Sequence, residues 1–122
     1  MTLHRRTVAC EYSSFYVAGS RDVNIPIGGE LRGIRSSAEC INVSCLIFQS
    51  GDVNVSLADA GEAHSLAEPV FDGMLATPEG VVLLFDANMP EICSMKVPGR
   101  QTRVRVWTNH PTEPDEIEIV VG

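Results

Sequence analysis

The sequence predicts an all-β protein, namely an antiparallel β-sandwich or flattened barrel of about eight strands with very little helix. Apolar residues alternate with polar ones along much of the chain, as in half-buried strands, and the 3.6-residue period of an amphipathic helix is hard to find. The alternating runs are short, and Pro and Gly residues typical of turns stand between them. A chain of 122 residues, 44% of them apolar, is long enough for one core. We therefore expect a single domain over residues 1–122.

Near the start of the chain, VACEY and SFYVA predict two short strands. The stretch that follows, SRDVNIPIGGELRGIRSSA, is irregular, and we expect residues 19–39 to form a long surface connection. Its glycines lack the GxGxxG order and have no P-loop lysine and hydroxyl after them, so they indicate a flexible loop rather than a phosphate site. Further along, ADAGEAHSLAE is compatible with one short helical turn.

The clearest local pattern is CINVSCLIFQSGDVNVSLA, which predicts a β-hairpin. Placing Ile47 opposite Val53 and Cys45 opposite Val55 puts the alternating apolar residues on one face. This register leaves residues 49–51 as a three-residue loop, whose last member is a glycine, as a left-handed loop position requires.

Two further turns are predicted from the chemistry of Pro and Gly. In Thr77-Pro78-Glu79-Gly80, proline is preset for the second position of a turn between VFDGMLA and VVLLF. Pro98-Gly99 fits a type II turn ahead of TRVRVW.

The end of the chain alternates charged and apolar residues, with Arg103 and Arg105 in one row and Glu116 and Glu118 in another. We expect a hairpin whose valines and isoleucines face the core and whose arginines and glutamates face solvent. Cross-strand charge pairs contribute about 0.2–1 kcal/mol each and discourage edge-to-edge association. The predicted register pairs Val104 with Ile119, Val106 with Ile117, and Arg105 with Glu118.

Trp107 is the only tryptophan, and by the alternation it falls on the charged face of this hairpin. Two interpretations remain open. In the first, a loop covers the ring at the strand end and Arg105 lies along it. In the second, the ring is exposed and anchors a partner protein, since tryptophan is enriched in interface hot spots. Trp107 is thus one candidate partner-binding residue.

Charge is distributed unevenly along the chain, whose net charge is −7. Between Ser36 and Met95 there is no Lys or Arg but there are nine acids, whereas the flanks hold nine basic residues and seven acids. Such a negative surface either keeps the protein soluble or attracts a basic protein by long-range steering. Nucleic-acid binding is disfavoured because it needs a basic face. The acids at or near predicted strand ends are further candidate partner-binding residues, some of which should cluster: Asp52, Asp59, Glu79 and Asp86.

Catalytic, metal and cofactor sites are not predicted. The histidines stand in no motif that names a nucleophile or a metal set, and the cysteines, which lack CxxC pairs and zinc spacing, are interpreted as small buried residues. No signal peptide is evident and no apolar run is long enough for a membrane helix, so we expect a cytoplasmic protein without membrane insertion. The histidines and cysteines considered above for catalytic or metal sites are His4, His64, His110, Cys10, Cys40, Cys45 and Cys93.

A family resemblance is carried by three segments, ACEYSSFYVA, AEPVFDGMLATPEGVVLL and VPGRQTRVRVWTN. The first is similar to an opening Tyr-x-x-Phe strand pair, the second to a "VPF" strand with a Gly-centred turn and another apolar strand. The third is similar to a Pro-x-Gly-type turn before a strand that ends in Trp, although Pro98 and Gly99 are adjacent here and Thr102 stands where we expect an aromatic residue. Together they resemble the competence nuclease-inhibitor family. The resemblance implies a small cytosolic bacterial β protein that binds and inhibits a DNA-entry nuclease.

Three functions from different classes remain open. The first is an acidic protein-binding module, an inhibitor or immunity-type partner of a basic protein such as a nuclease. The second is a small-ligand-binding or enzymatic β domain, which predicts a concave pocket gathering histidines and carboxylates from different strands. The third is a structural or oligomerisation domain, which predicts an apolar patch related to itself by two-fold symmetry.

Overall fold

The structure, a computed structural model, describes residues 3–8, 14–20, 34–36, 39–45, 49, 51–59, 68–86, 91–110 and 114–122. Within these residues there is no α-helix, and no helix that could span a membrane. The ten strands are β1 (Leu3–Val8), β2 (Ser14–Ala18), β3 (Ile34–Ser36), β4 (Cys40–Ser44), β5 (Val53–Asp59), β6 (Phe71–Ala76), β7 (Val81–Asp86), β8 (Glu91–Lys96), β9 (Gln101–Thr108) and β10 (Glu116–Val121).

The strands form two five-stranded sheets. We call β1-β5-β10-β9-β6 the front sheet and β3-β4-β2-β7-β8 the back sheet. Neighbouring strands are antiparallel except β5 and β10, which are parallel. The predicted all-β sandwich is therefore confirmed, with more strands than expected and one parallel pair.

The core lies between the sheets and is built from alternate residues of both. Val43 and Leu84 of the back sheet and Val55 and Val106 of the front sheet belong to one buried cluster, and each is at most 1% exposed. Burying an aliphatic side chain of this size stabilises the fold by about 1.5–3 kcal/mol. The alternation seen in the sequence is thus the inward row of each strand.

The predicted hairpin around residues 49–51 is wrong. β4 pairs with β2 and β3 in the back sheet, whereas β5 pairs with β1 and β10 in the front sheet. Cys45 and Val55 are both buried in the shared core, but Val55 lies opposite Arg6 and Ile117. Two alternating strands show the same pattern whether they pair side by side or face each other across a core, so the sequence pattern could not distinguish these arrangements.

The closing hairpin is confirmed, but its register differs from the prediction by two residues. Val106 lies opposite Ile119, and Arg105 lies opposite Val120 rather than Glu118. A shift of two residues keeps every side chain on its predicted face, so alternation alone does not select the register. The Asn109 side chain selects it: its Oδ1 accepts from the backbone N–H of Asp115 at 3.1 Å and of Glu116 at 3.2 Å.

The predicted turn at residues 77–80 is confirmed. Gly80 donates its backbone N–H to the carbonyl of Thr77 at 3.1 Å, and its φ of +69° is a left-handed conformation that favours glycine. The type II turn predicted at Pro98-Gly99 is wrong, because that turn requires a positive φ at the glycine and Gly99 is not among the positive-φ glycines.

Both of these connections pass from one sheet to the other, β6 to β7 and β8 to β9. They are hydrogen-bonded together, since Val97 N–H donates to the Gly80 carbonyl at 2.9 Å and Thr77 N–H donates to the Arg100 carbonyl at 2.8 Å. The Thr77 hydroxyl, which is fully buried, donates to the Gly99 carbonyl at 2.7 Å. The crossovers therefore brace each other and close this end of the sandwich.

The predictions for the irregular N-terminal part are met in part. SFYVA is confirmed as β2, and an unpredicted strand runs over Leu3–Val8; of VACEY only Val8 is among the described residues, so that prediction is not tested. The segment 19–39, expected to be a surface connection, contributes the short strand β3 at Ile34–Ser36. Edge strands that carry arginines, such as β1, lack the clean apolar alternation by which strands are recognised. Cys10, residues 21–33 and the helical turn expected at 60–67 lie outside the described residues.

A smaller apolar cluster lies on the outer face of the back sheet. Ala18, Cys40 and Phe85 are buried there, and Tyr16 and Leu83 pack against them. The rings of Tyr16 and Phe85 are tilted, with centroids 5.4 Å apart. Both faces of β4 are buried, so the outer face of the back sheet is not exposed to solvent along this strand.

Candidate functional site

The two ends of the sandwich differ in charge. β5 and β10 begin at one end, which we call the lower end; β9 ends there, β6 begins there, and β7, which follows the 77–80 turn, ends there too. The opposite end, closed by the two crossovers, is the upper end. These strand pairings assign each described acid or base near a strand end to the lower end or to the upper end.

The four acids predicted from the sequence do not form one cluster. Asp52 precedes β5 and Asp86 ends β7, so both lie at the lower end. Asp59 ends β5 and Glu79 lies in the β6–β7 turn, so both lie at the upper end. The four acids are therefore divided two and two between opposite ends, and both their clustering within an end and the interaction role of each stay predictions.

Several exposed acids lie at the lower end, and Asp52 is the one among them that the sequence analysis names as a candidate. No Lys or Arg stands among the strand-end residues described there, whereas Lys96 and Arg100 accompany Asp59 and Glu79 at the upper end. Counted over these strand-end residues, the excess of acids is larger at the lower end; Arg5 and Arg6, further along β1, line a groove with Glu116. The exposed acids of the lower end are Asp52, Glu68, Glu91, Asp115 and Glu116.

Two of these carboxylates are held by asparagine amides. Asn109 Nδ2 donates to Asp115 Oδ1 at 2.6 Å, and Asn54 Nδ2 donates to Glu116 Oε1 at 3.1 Å. Thr7 in turn donates its hydroxyl hydrogen to Asn54 Oδ1 at 2.9 Å. A neutral amide donor fixes a carboxylate without neutralising it. The lower end therefore presents positioned negative charge rather than only mobile side chains.

An open groove of about 420 Å³ crosses the outer face of β1, β5 and β10. It brings carboxylates of β10 next to Arg5 and the polar side chains of Asn54 and Ser56. The enzymatic alternative predicts a pocket that also gathers histidine, and no histidine lines this groove within the described part of the chain. Nor do three or more His, Cys, Asp or Glu side chains of the described residues form a group that could hold a metal ion.

Arg103 of β9 is paired with an acid of β6. Arg103 forms a bidentate ion pair with Asp72, and the two side chains are 51% and 40% exposed. Hydrogen bonds from Arg103 lower the pKa of Asp72, with smaller help from the charges of Arg103 and Arg105. Arg103 and Asp72 therefore balance each other's charge on the outer face of the front sheet.

Trp107 is covered, as the first interpretation expected. Its side chain is 9% exposed, and the guanidinium carbon of Arg105 lies 5.8 Å from the ring centroid, within cation–π range. Little of the ring is available to a partner in this conformation. Its use as a partner-binding anchor stays a prediction, and such binding requires the groups that bury the ring to move.

Three cysteines match their predicted role as small buried residues. Cys40, Cys45 and Cys93 are all buried. Burial raises the pKa of Cys40 to about 12 and also raises the pKa of Cys93. Both thiols are thus held in the protonated, unreactive form at neutral pH.

Comparison with known proteins shows a likeness of fold and no match of sequence. No protein-family model and no curated protein sequence matches the chain. Among solved structures, ComJ from Bacillus subtilis, an inhibitor of the DNA degrading activity of NucA, superposes with a TM-score of 0.70 at 11% sequence identity, over 97% of this chain and 93% of ComJ. The product of crocagin biosynthetic gene J gives a TM-score of 0.52 at 11% identity, over 99% of this chain and 97% of that chain. The predicted resemblance to nuclease inhibitors is therefore confirmed for the fold.

Proposed function

We propose that this chain is a cytoplasmic protein-binding module that inhibits a basic, nucleic-acid-degrading enzyme. The observation that carries the proposal is the likeness to ComJ, which extends over 97% of this chain and was suggested independently by segments of the sequence. A shared fold does not establish a shared partner. The charge distribution of this chain supplies the second, independent support.

The lower end is the proposed contact surface. A nuclease must offer positive charge to the phosphate backbone of its substrate, and positioned carboxylates can occupy the same groove. Asp115 and Glu116, held by Asn109 and Asn54, lose little conformational entropy on binding such a surface. Asp52 joins them from the start of β5. The net charge of −7 steers the approach over a distance of about 10 Å at 0.1 M salt.

The proposal assigns different roles to the two pairs of predicted acids. Asp52 and Asp86 belong to the contact surface, whereas Asp59 and Glu79 stand with Lys96 and Arg100 at the upper end. The upper pair therefore offers a matched control. Reversing its charges changes the net charge by the same amount as reversing two lower-end acids.

The test measures degradation of a fluorescent DNA substrate by a nuclease-containing lysate of the source organism, with and without the purified chain. We expect the wild-type chain to slow degradation. The double variant Asp52→Lys/Glu91→Lys should lose most of the inhibition, and Asp59→Lys/Glu79→Lys should keep it. Thermal melting of all three proteins checks that the fold is retained.

Two results would count against the proposal. If the wild-type chain leaves DNA degradation unchanged over a wide concentration range, the inhibitory function is wrong. If both double variants inhibit like the wild type, the lower end is not the contact surface. Association with the captured nuclease should also weaken steeply between about 0.05 and 0.5 M salt, because screening removes long-range steering.

A further inference from the structure

The four edge strands of the sandwich are protected to different degrees. β3 has only three residues. β1 carries Arg5 and Arg6, of which Arg6 shares the core-facing row because it lies opposite Val55. β8 begins at Glu91 and ends at Lys96, and its pairing with β7 contains an irregularity in register. Short length, charge and bulges are the usual means by which a sheet edge is kept from pairing with other chains.

β6 lacks these protections. Val70, just before the strand, and Met74 within it are 54% and 53% exposed, and they are the exposed large hydrophobic residues of the described chain. Met74 shares the outer face of the front sheet with Asp72, and Val70, which precedes the ladder, donates its backbone N–H to the Val106 carbonyl at 2.8 Å. The charge of Asp72 is already matched by Arg103. The β6 edge thus carries an exposed apolar side chain beside a locally balanced charge, and no described strand pairs with its other side.

The backbone of β6 is oriented for such pairing. Thr77 N–H donates to the Arg100 carbonyl, which lies directly opposite it in the β6–β9 ladder. Because hydrogen-bonded positions alternate in an antiparallel pair, Leu75 and Gly73 also bond to β9. The N–H and C=O groups of Asp72 and Met74 therefore point to the open edge.

A second copy of the chain is a poor occupant of this edge. The antiparallel register that would bury Met74 against Val70 of the other copy also places Asp72 opposite Asp72, and like charges directly opposite are destabilising. Registers shifted towards the upper end involve Ala76, whose carbonyl lies against the backbone of Gly19. Each copy also carries a net charge of −7. Charge thus favours a different chain that is less acidic.

We propose that the β6 edge binds an extended segment of a partner protein as a sixth strand of the front sheet. The segment would bond to the peptide groups of Asp72 and Met74, place apolar side chains beside Val70 and Met74, and carry basic residues that suit this acidic chain. This inference rests on the protein-binding part of the proposed function, but not on the partner being a nuclease. The β6 edge begins at the lower end and runs along the side of the front sheet.

The first experiment follows amide hydrogen exchange of the free protein by NMR. At low concentration the Asp72 and Met74 amides should exchange rapidly, and those of Gly73 and Leu75 slowly. Slow exchange at Asp72 and Met74 in the dilute protein would show that the edge is already covered and would overturn the proposal. Protection that appears only as the protein is concentrated would assign the edge to a second copy and would also overturn it.

The second experiment adds a heptapeptide in which valine alternates with threonine between two terminal lysines. When four-fifths of the chains carry peptide, exchange at Asp72 and Met74 should slow by about fivefold, because only the free fraction exchanges. The same peptide with a central proline should have no effect. Equal protection with both peptides, or protection confined to β1, would contradict the proposal.

A pair of variants distinguishes an effect at the β6 edge from an effect of net charge. Met74→Lys places a charge on the edge and should abolish the protection by the peptide, whereas Gln101→Lys on the neighbouring β9 adds the same charge away from the edge and should leave it unchanged. Since Met74 is 53% exposed, both variants should melt like the wild type. Failure of DNA-degradation assays would not affect these readouts, so the two proposals can fail separately. Full protection in Met74→Lys would refute the edge site.

Discussion

Arg103 of β9 binds Asp72 of β6 through two hydrogen bonds, from Nε to Oδ1 at 2.9 Å and from Nη2 to Oδ2 at 2.7 Å. This pair joins the last two strands of the front sheet. Arg103 of the closing hairpin is therefore paired with an acid of β6, the strand that adjoins β9 on the side away from β10. Asp72 is thirty-one residues away from Arg103 in the sequence.

The first prediction concerns the titration of Asp72. We expect NMR to give this carboxyl a pKa below its ordinary value of 3.8, because Arg103 donates hydrogen bonds to the ionised form. A depressed folded-state pKa means that the pair stabilises the fold above the unfolded-state pKa, and that this contribution is lost as the pH falls through the folded-state pKa. Arg103→Gln should return the pKa towards the ordinary value. The melting temperature near pH 7 should change little, since the pair is exposed; an unaltered Asp72 pKa in this variant would contradict the assignment.

The second prediction compares two neighbours on β9 that face opposite ways. Val106 is fully buried, so Val106→Asp places an unpaired charge in the core and should destabilise by more than about 4 kcal/mol. Arg105 is half-buried and lies over Trp107, so Arg105→Glu should cost only about 1 kcal/mol. Urea unfolding measures both. Similar midpoints for the two variants would show that the faces of β9 are wrongly assigned.

The third prediction concerns Trp107 itself. With 9% of the residue exposed, Trp107→Ala should lower the free energy of unfolding by about 3–5 kcal/mol. Fluorescence of the wild type should be blue-shifted and resist quenching by iodide. A red-shifted, readily quenched emission together with nearly unchanged stability would instead favour the exposed-anchor interpretation.

The sequence predicted the residues that face the core better than it predicted their partners. Period-two alternation placed Val104, Val106 and Ile119 on the buried side, because any half-buried strand shows that pattern. It could not tell that β4 and β5 face each other across the core, since pairing and stacking leave the same pattern in one strand. The register of the closing hairpin is supported by the Asn109 side chain and by the pairing of β10 with β5, neither of which alternation reveals.

The candidate surface was only partly predictable for a related reason. Asp52 and Asp86 were selected because they stand near predicted strand ends, yet which end each occupies depends on the pairing of strands distant in the sequence. Asp115 and Glu116 were passed over because the hairpin explained Glu116 as part of a solvent row. The signal that could have found them is the pair of asparagines, Asn54 and Asn109, that hold their carboxylates.

The fourth prediction concerns Gly19, where the end of β2 meets the end of β6. A Cβ at this position would overlap the Ala76 carbonyl oxygen and lie 2.8 Å from Thr77 Cα, both of which are backbone atoms. Gly19→Ala should therefore destabilise by about 3 kcal/mol. Gly73→Ala is the control, because its Cβ would meet only the end of the Phe71 ring at 3.0 Å, which can turn aside. Equal losses in thermal unfolding would argue against the close packing of Gly19.

The fifth prediction tests the hydroxyl pair that braces the upper end. Thr77 donates its only hydroxyl hydrogen to the Gly99 carbonyl at 2.7 Å, so the 2.9 Å contact with Thr102 must have Thr102 as donor. Thr77 is fully buried and Thr102 is 5% exposed. Thr77→Val would leave both the Gly99 carbonyl and the Thr102 hydroxyl without partners and should cost about 2 kcal/mol.

Thr102→Val removes one hydrogen bond but leaves no buried donor without a partner, because the Thr77 hydroxyl still donates to the Gly99 carbonyl. The loss in unfolding free energy should be about 1 kcal/mol or less. In the double variant the orphaned Thr102 hydroxyl is gone, so the loss should fall short of the sum by about 1 kcal/mol. Urea unfolding of the two single variants and the double variant gives this coupling directly. If the losses add to within about 0.3 kcal/mol, the two hydroxyls do not interact, and the crossovers are held by the Thr77–Gly99 bond and the backbone hydrogen bonds alone.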